Sequence, residues 1–469
     1  PAEAITALSE AELVFEEGGQ VVTLVHELLV SAARKSAERQ GRWGQWNQIC
    51  GEWLSKSERP SWYRIGRHRY FAREYEGAVT AFHRETRHRQ EIGELREALE
   101  TLGLAALSLR RAGVSTSDPR WAQTRSRYGT CQRELGLLRS ALRHTRQGMA
   151  ALDREAHPGP YAECLLSHGQ TMKFVADQNA ALPMLKEAVE LATKLGGTQL
   201  EFDSRRTYAG CLRDVGRTQD SREQFVECHR LLGEGWLDAL EPIPRASVRI
   251  SYFLERCQQT WVAGSAQAAA EYADLAARIA DDIGSRWRVA VALLLKGRVL
   301  LSCEHYGDAL RALESAAARY ESIGHSGRYS AEGYAGVAMI QMGQYEEGLV
   351  KMQDVRDGLE RMGRWQSARY GETFKLGALA RLGRWSQWDK AFQDLSDLVD
   401  GGMFGAIFAR MTELSLAHLV ELGEEERAAT VGRVLVRNYT QQGADRELAR
   451  FEAVLAGLGL SVPDDVKQG

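Results

Sequence analysis

The side chains with which this 469-residue chain could hold a metal or attack a substrate are eleven histidines and seven cysteines. A helix brings two ligands onto one face only at a spacing of three or four residues. His83 and His88 in HRETRH are five apart, Cys303 and His305 two apart, and Cys228 and His229 adjacent, so none of these pairs shares a face. No metal is expected, the histidines reading as exposed and the cysteines as buried. A nucleophilic cysteine needs an imidazole or a helix N-terminus beside it to lower its pKa. Cys131 and Cys211 instead recur beside a small residue at one position of a repeated segment, as packing residues do. The cysteines, at 50, 131, 164, 211, 228, 257 and 303, are odd in number and contain no CxxC, so all are expected to be reduced. No GxxxxGK followed by Ser or Thr, and no GxGxxG behind a strand pattern, offers a phosphate cradle. No catalytic residue and no cofactor is therefore assigned, and the protein is expected not to be an enzyme.

Charge is more informative than nucleophiles. The cations are 50 Arg to 10 Lys, which matches a GC-rich coding bias before it suggests recognition of carboxylates or phosphates. From Arg110 to Arg146 there are nine Arg against Asp118 and Glu134 alone, and from Lys56 to Arg89 nine basic residues face four Glu. The first 30 residues carry six Glu and no Lys or Arg, and from Asp400 onward eleven acids outnumber seven bases. The first half is thus basic between two acidic ends, which suits a solvated helix face or an acidic partner. Tryptophans form a second pattern. Trp43, Trp46 and Trp53 fall at spacings of three and seven, as do Trp385 and Trp388 at three, which is one helix face and reads as core rather than as a binding groove.

The elements that must position these residues are set by a repeat. A composition of 44% hydrophobic and 26% charged residues with a net charge of −3 is globular, and at this length calls for about three domains unless a repeat extends one core in one direction. One segment recurs: a small residue, seven residues to a hinge that is usually Gly, an aromatic two later, then Ala and a large apolar residue at helical spacing. It reads AGVAMIQMGQYEEGLVKM from 335, KGRVLLSCEHYGDALRAL from 296 and LGALARLGRWSQWDKAF from 376, with further copies around 41, 67, 128, 209 and 420. The hinges fall at 136, 176, 216, 264, 304, 343, 383 and 423, mostly 40 apart, with one spacing of 48 around EPIPRAS. Forty residues with one hinge make two helices of about 16 residues, each about 24 Å long. The hinge Gly suits a left-handed helix cap, and the aromatic (Tyr75, Tyr306, Tyr345, Trp385) fills the angle of the hairpin. The small residue (Gly66, Gly129, Gly169, Gly297, Gly336) allows close helix approach.

This pattern resembles the tetratricopeptide repeat over residues 30–455, in the 40-residue variety of kinesin light chains, bacterial peptide-sensing regulators and the sensors of signal-transduction ATPases. The resemblance implies an all-α fold, a right-handed α-α superhelical solenoid of helical hairpins. Residues 1–30 are expected to be acidic capping helices, 31–460 one solenoid of about eleven hairpins, irregular near 113–136 and 235–262, and 461–469 a frayed tail. In the family's register, the concave groove is lined by Arg127, Arg133, Gln170, Lys173, Arg206, Arg213, Gln258, Arg298, Tyr334, Gln341 and Arg381. That implies a non-catalytic scaffold that binds a protein or peptide partner through an acidic segment. Two alternatives stand beside it: a sensor or regulatory part of a larger switch, such as a signalling ATPase or a protease, and a nucleic-acid-binding solenoid. The last is not expected, because no aromatic and basic pattern recurs once per unit. The longest apolar run, VAVALLL at 289–295, is too short to span a bilayer, so no membrane partner and a cytoplasmic location are expected. Pro1 stands where an initiator Met would, so the chain is expected to be trimmed or part of something longer.

Overall fold

The computed structural model describes residues 14–17, 21–24, 27–58, 60–175, 178–196, 199–402 and 404–460. Apart from one two-stranded hairpin they form an all-α structure. Strands β1 (Val14–Glu17) and β2 (Val21–Leu24) pair antiparallel, Val14 opposite Leu24. A capping helix was expected there. The sequence VFEE and VVTL, rich in β-branched residues, pairs as strands instead. The hinge expected at Ala176 and the tail 461–469 lie outside the described residues.

The chain divides into two compact units, Pro1–Thr86 with Glu100–Val114, and Arg87–Leu99 with Ser115–Gly469. The sequence pattern gives one solenoid over 31–460, irregular near 113–136 and 235–262. The first unit contains α1 (Glu27–Arg39), α2 (Trp43–Ser55), α3 (Trp62–Phe71) and the larger parts of α4 (Tyr75–Ile92) and α5 (Leu95–Arg111). Its core is built from Leu54, Ile65 and Ala81, and from Ala78, Phe82 and Ala105. Trp46 and Trp53 are exposed, so the tryptophan stripe of α2 is not core.

The second unit continues with α6 (Pro119–Glu134), α7 (Leu138–Ala150), α8 (Pro158–Val175), α9 (Gln178–Leu195), α10 (Gln199–Asp214) and α11 (Thr218–Leu232). A 3-10 turn, Trp236–Ala239, and the 21-residue α12 (Pro242–Val262) absorb the longer spacing near 242. Then follow α13 (Ala266–Asp282), α14 (Arg286–Leu301), α15 (Tyr306–Ser322), α16 (Arg328–Gln341), α17 (Tyr345–Arg361), α18 (Trp365–Thr373), α19 (Leu376–Arg381), α20 (Trp385–Asp400), α21 (Ala406–Glu421), α22 (Glu425–Gln441) and α23 (Asp445–Gly457). Consecutive helices pack against each other, as in tetratricopeptide-like hairpins. No described helix is long and apolar enough to cross a membrane.

Gly136, Gly216, Gly264, Gly343, Gly383 and Gly423 all have positive φ, and Glu304 takes the same conformation (φ 62°) at the one described hinge that lacks Gly. The turns between hairpins, at Gly196, Gly284, Gly324, Gly363, Gly402 and Gly443, repeat it, so a left-handed cap recurs about every 20 residues. The small residue of the first helix has an equally concrete cause. A Cβ on Gly66, Gly169, Gly297 or Gly336 would come within 2.6, 2.8, 2.5 and 2.7 Å of Phe82, Leu185, Leu313 and Met352, and one on Gly129 would strike Thr145. In every case the neighbour is sixteen residues on, in the second helix of the same hairpin.

The second unit also curls back on itself. Ser326 donates from N–H and Oγ to the Glu134 carbonyl (3.1 and 2.9 Å), and His325 Nε2 lies 3.0 Å from the Glu134 carboxylate, 191 residues away in sequence. Trp287 and Arg288 donate to the carbonyl and carboxylate of Glu91 at 3.0 and 2.6 Å. Helix α10 touches α21. Positions about five hairpins apart therefore meet, and the space between them is a partly open cavity.

Candidate binding cavity

The first helices of successive hairpins, α6, α8, α10, α12, α14 and α16, turn one face toward a cavity of about 560 Å³, which α17, α18 and α21 close from the other side. That is the size of pocket that holds a small molecule or a few residues of peptide. Of the residues expected in the groove, it brings together Arg133, Gln170, Lys173, Arg206, Arg213, Gln258, Arg298 and Tyr334. Arg127, Gln341 and Arg381 lie outside it. Arg127 sits in the field of Arg87, Glu163 and Glu91, and Arg381 is spent on Glu421 and on His418 Nδ1 at 3.2 Å. These three stand at positions of the repeat that do not line the cavity.

The cavity wall carries seven cations, Arg133, Lys173, Arg206, Arg213, Arg298, Arg356 and Arg364, against three carboxylates, Glu134, Asp214 and Glu255. The carboxylates have already chosen partners. Arg133, 6% exposed, donates to Glu134 (2.6 Å) and to the Gln170 carbonyl oxygen (2.8 Å), while the Gln170 amide donates to Thr207 (3.0 Å). Arg213 pairs with Glu255, both buried, and Lys173 with Asp214 at 2.7 Å. Burial alone would raise the Glu134 carboxyl, but Arg133 and His325 outweigh it and hold it at about 2.

Two guanidiniums have no such partner. Arg298 and Arg364 make no ion pair among the described residues, and the Nε of each is buried without an acceptor. Arg298 lies 5.2 Å from the ring centres of both Trp261 and Tyr334, and Arg364 lies 5.4 Å from Phe174, which Arg133 also approaches at 5.7 Å. Burial pushes the Arg364 guanidinium down to about 10, with Glu134 opposing. Arg206 is intermediate, its nearest carboxylate oxygen being Asp203 at 3.7 Å and its Nε unpaired. Cation–aromatic contacts stabilise a desolvated guanidinium by about 0.5 to 2 kcal/mol, well short of an ion pair in the same place. The cavity wall thus holds guanidinium groups that no carboxylate among the described residues pairs with.

No protein-family model and no curated protein sequence matches the chain. Among solved structures, it is similar to the Signal Transduction ATPase with Numerous Domains protein with a tetratricopeptide repeat sensor from Pyrococcus horikoshii, at 13% identity and a TM-score of 0.48, covering 86% of this chain and 60% of that one. The chain spans less than two thirds of that protein's length. It is also similar to a Rap protein complexed with Competence and Sporulation Factor, at 12% identity, a TM-score of 0.32 and coverage of 92% and 97%. A third is the human IFIT1 dimer with PPP-AAAA, at 13% identity, a TM-score of 0.42 and coverage of 89% and 95%.

Sequence reasoning missed Arg364, Arg356 and the carboxylates that neutralise three of the seven cations. Arg364 follows the positive-φ Gly363 in a turn between hairpins, where a rule about first-helix positions does not look. Glu134 and Asp214 each follow a groove arginine by one residue, and that adjacency was the available signal. Among the described residues no cluster of His, Cys, Asp and Glu suits a metal. His83, His168, His325 and His418 are buried rather than exposed as expected. Burial pushes the thiols of Cys131, Cys164, Cys228 and Cys257 up to about 12, far from a nucleophile's range.

Proposed function

We propose that this protein is a non-catalytic interaction protein whose second unit takes an acidic segment of a protein or peptide partner into its cavity. The observation that carries this is the pair of arginines without an ion pair, Arg298 and Arg364, in a cavity wall whose own carboxylates are already engaged. A half-buried guanidinium whose nearest carboxylates, Asp214 for Arg298 and Glu134 for Arg364, are bonded to other cations is poorly compensated, and an incoming carboxylate gains a planar, two-pronged donor. Arg206 adds a third contact. Arg133, Lys173 and Arg213 set the positive field rather than bind directly, since each is already paired. The seven cysteines without disulfides support a reducing, cytoplasmic setting.

A sensor role within a larger switch is the second reading, favoured by the cavity's volume of about 560 Å³, which suits a short ligand better than a folded domain. The test is binding of an aspartate-rich peptide measured by calorimetry on the full chain. Arg298→Gln with Arg364→Gln should lower affinity about 10- to 100-fold, as expected for losing charge-assisted hydrogen bonds, without lowering thermal stability. Binding should weaken with salt. Equal affinity in the variant, or tighter binding of arbitrary single-stranded RNA with a steep salt slope, would sink the proposal.

A further inference from the structure

A second, smaller cavity of about 330 Å³ lies in the C-terminal hairpins, away from the one just described. Its floor is Trp261 and Val262 at the end of α12, and its walls carry Arg410 of α21, Tyr439 of α22, and Arg446, Glu447 and Arg450 of α23. The charges do not cancel internally. Glu413 is engaged elsewhere: it accepts two bonds from one Arg450 nitrogen (2.7 and 2.9 Å) and one from the Tyr439 hydroxyl (2.6 Å). Arg410, pressed between Arg450 and the Trp261 ring at 5.6 Å, makes no hydrogen bond and no ion pair among the described residues. Arg446, exposed at the rim, lies over Gly264, where an added Cβ would sit 3.7 Å from its Nη2, and it too has no carboxylate partner among the described residues. On the same wall, the Oε1 of Glu447 is buried with no donor. The cavity therefore presents guanidinium donors that lack an acceptor, a carboxylate oxygen that lacks a donor, and an apolar floor.

We infer that this cavity binds a free apolar α-amino acid. The ligand's carboxylate lies on Arg410 with Arg446 closing from the rim, its ammonium donates to Glu447, and its side chain rests on Trp261 and Val262. A simple anion such as phosphate would satisfy the arginines but would face the Glu447 carboxylate across the same small space. An amine alone would leave Arg410 unpaired. Only a molecule carrying both charges a short distance apart completes both groups, and 330 Å³ leaves room for a branched aliphatic side chain. Burial and the neighbouring Arg450 push the Arg410 guanidinium downward, and Glu413, already bonded to Arg450 and Tyr439, only partly opposes them.

The site stands apart from the proposed partner cavity but is not isolated from it. The Trp261 indole carries Arg410 at 5.6 Å and Arg298, of the first cavity, at 5.2 Å. A ligand that draws Arg410 toward itself changes what that ring can offer Arg298.

The test is calorimetry and thermal shift on the full chain with four probes: L-leucine, 4-methylpentanoate, 3-methylbutylamine and inorganic phosphate. L-Leucine should bind and raise the thermal midpoint. The carboxylate lacking the amine should bind at least about tenfold more weakly, and the amine and phosphate not measurably. Arg410→Gln should abolish leucine binding while leaving the unliganded midpoint unchanged or higher, because it removes a buried unpaired charge; a purely structural arginine would lower it. Glu447→Gln should bring leucine down to the affinity of the deaminated acid. Val262→Trp, which fills the floor, should block binding with all charges intact. Failure of leucine and of the other apolar L-amino acids to bind the parent protein would overturn the inference, as would phosphate binding that is as tight or leucine binding that neither charge variant alters. The acidic-peptide measurement at the first cavity is run without any amino acid present, so the two tests fail independently.

Discussion

Replacing Glu255 with Leu removes one half of the best-buried ion pair in the first cavity, and its cost can be worked from the contacts. Both side chains of the Arg213–Glu255 pair are 5% exposed. Without Glu255, Arg213 keeps only Asp214, at 3.7 Å, and Lys173 already holds that carboxylate at 2.7 Å. Gln259 also loses an acceptor at 3.0 Å, although it retains Ser221 at 2.9 Å. Breaking a buried pair typically costs about 3 to 5 kcal/mol, and the residual attraction of Asp214 places this case near the lower end, at about 3 kcal/mol. The assay is urea unfolding followed by helical circular dichroism and by calorimetry, reading the transition of the second unit. The decisive companion is the double variant Arg213→Met with Glu255→Leu. It removes both charges and should lie within about 1 kcal/mol of the parent, or be more stable, because the desolvation cost of both ions disappears. A single variant costing less than about 1 kcal/mol, or a double variant as damaged as the single one, would refute the account. The pair would then be hydrated and Arg213 free for a partner.

Acid should act through Glu134. Its carboxyl is held at about 2 against an ordinary 4.5, so the stability it confers is complete above pH 4.5 and is lost as pH falls from there toward 2. The loss is about 3 kcal/mol by linkage. Glu134→Gln should flatten that limb in urea titrations run at a series of pH values, and identical acid sensitivity in both proteins would count against the clasp with Arg133 and His325. Gly297→Ala should destabilise by about 1 to 3 kcal/mol despite alanine's better helix propensity, because the new methyl meets three atoms of the fully buried Leu313 between 2.5 and 3.3 Å. A rise in the thermal midpoint would mean the helices do not approach that closely. In thiol labelling of the native protein, Cys50 should react first and the five buried cysteines only on unfolding, so Cys50→Ser should remove the fast phase.

Much of the architecture was legible because it is local. Sixteen residues of separation decide whether Gly297 meets Leu313, and a turn of a few residues decides whether position 343 must adopt positive φ. Where the local signal was weak, the reading slipped. VFEE and VVTL carry a strand preference that an acidic, amphipathic outline concealed. Trp46 and Trp53 have the spacing of a core stripe but are exposed, because spacing defines a face without saying what covers it.

The candidate site was half legible for the same reason. The amino-acid sequence by itself determined the hairpin, its 40-residue period and the small residues at its close approach, and hence which face of each first helix looks inward. That was enough to bring eight of the chosen residues to one cavity. Tertiary structure alone decided which charges remain available. Arg213 meets Glu255 across 42 residues, Glu134 meets His325 across 191, and Arg364 reaches Phe174 from a turn in a distant hairpin. Such partners are set by the curl of the second unit, the sum of small rotations between successive hairpins, and a small error in each accumulates over five of them. A repeat sequence fixes each step closely, whereas the place where the turns of the spiral meet depends on all the steps together.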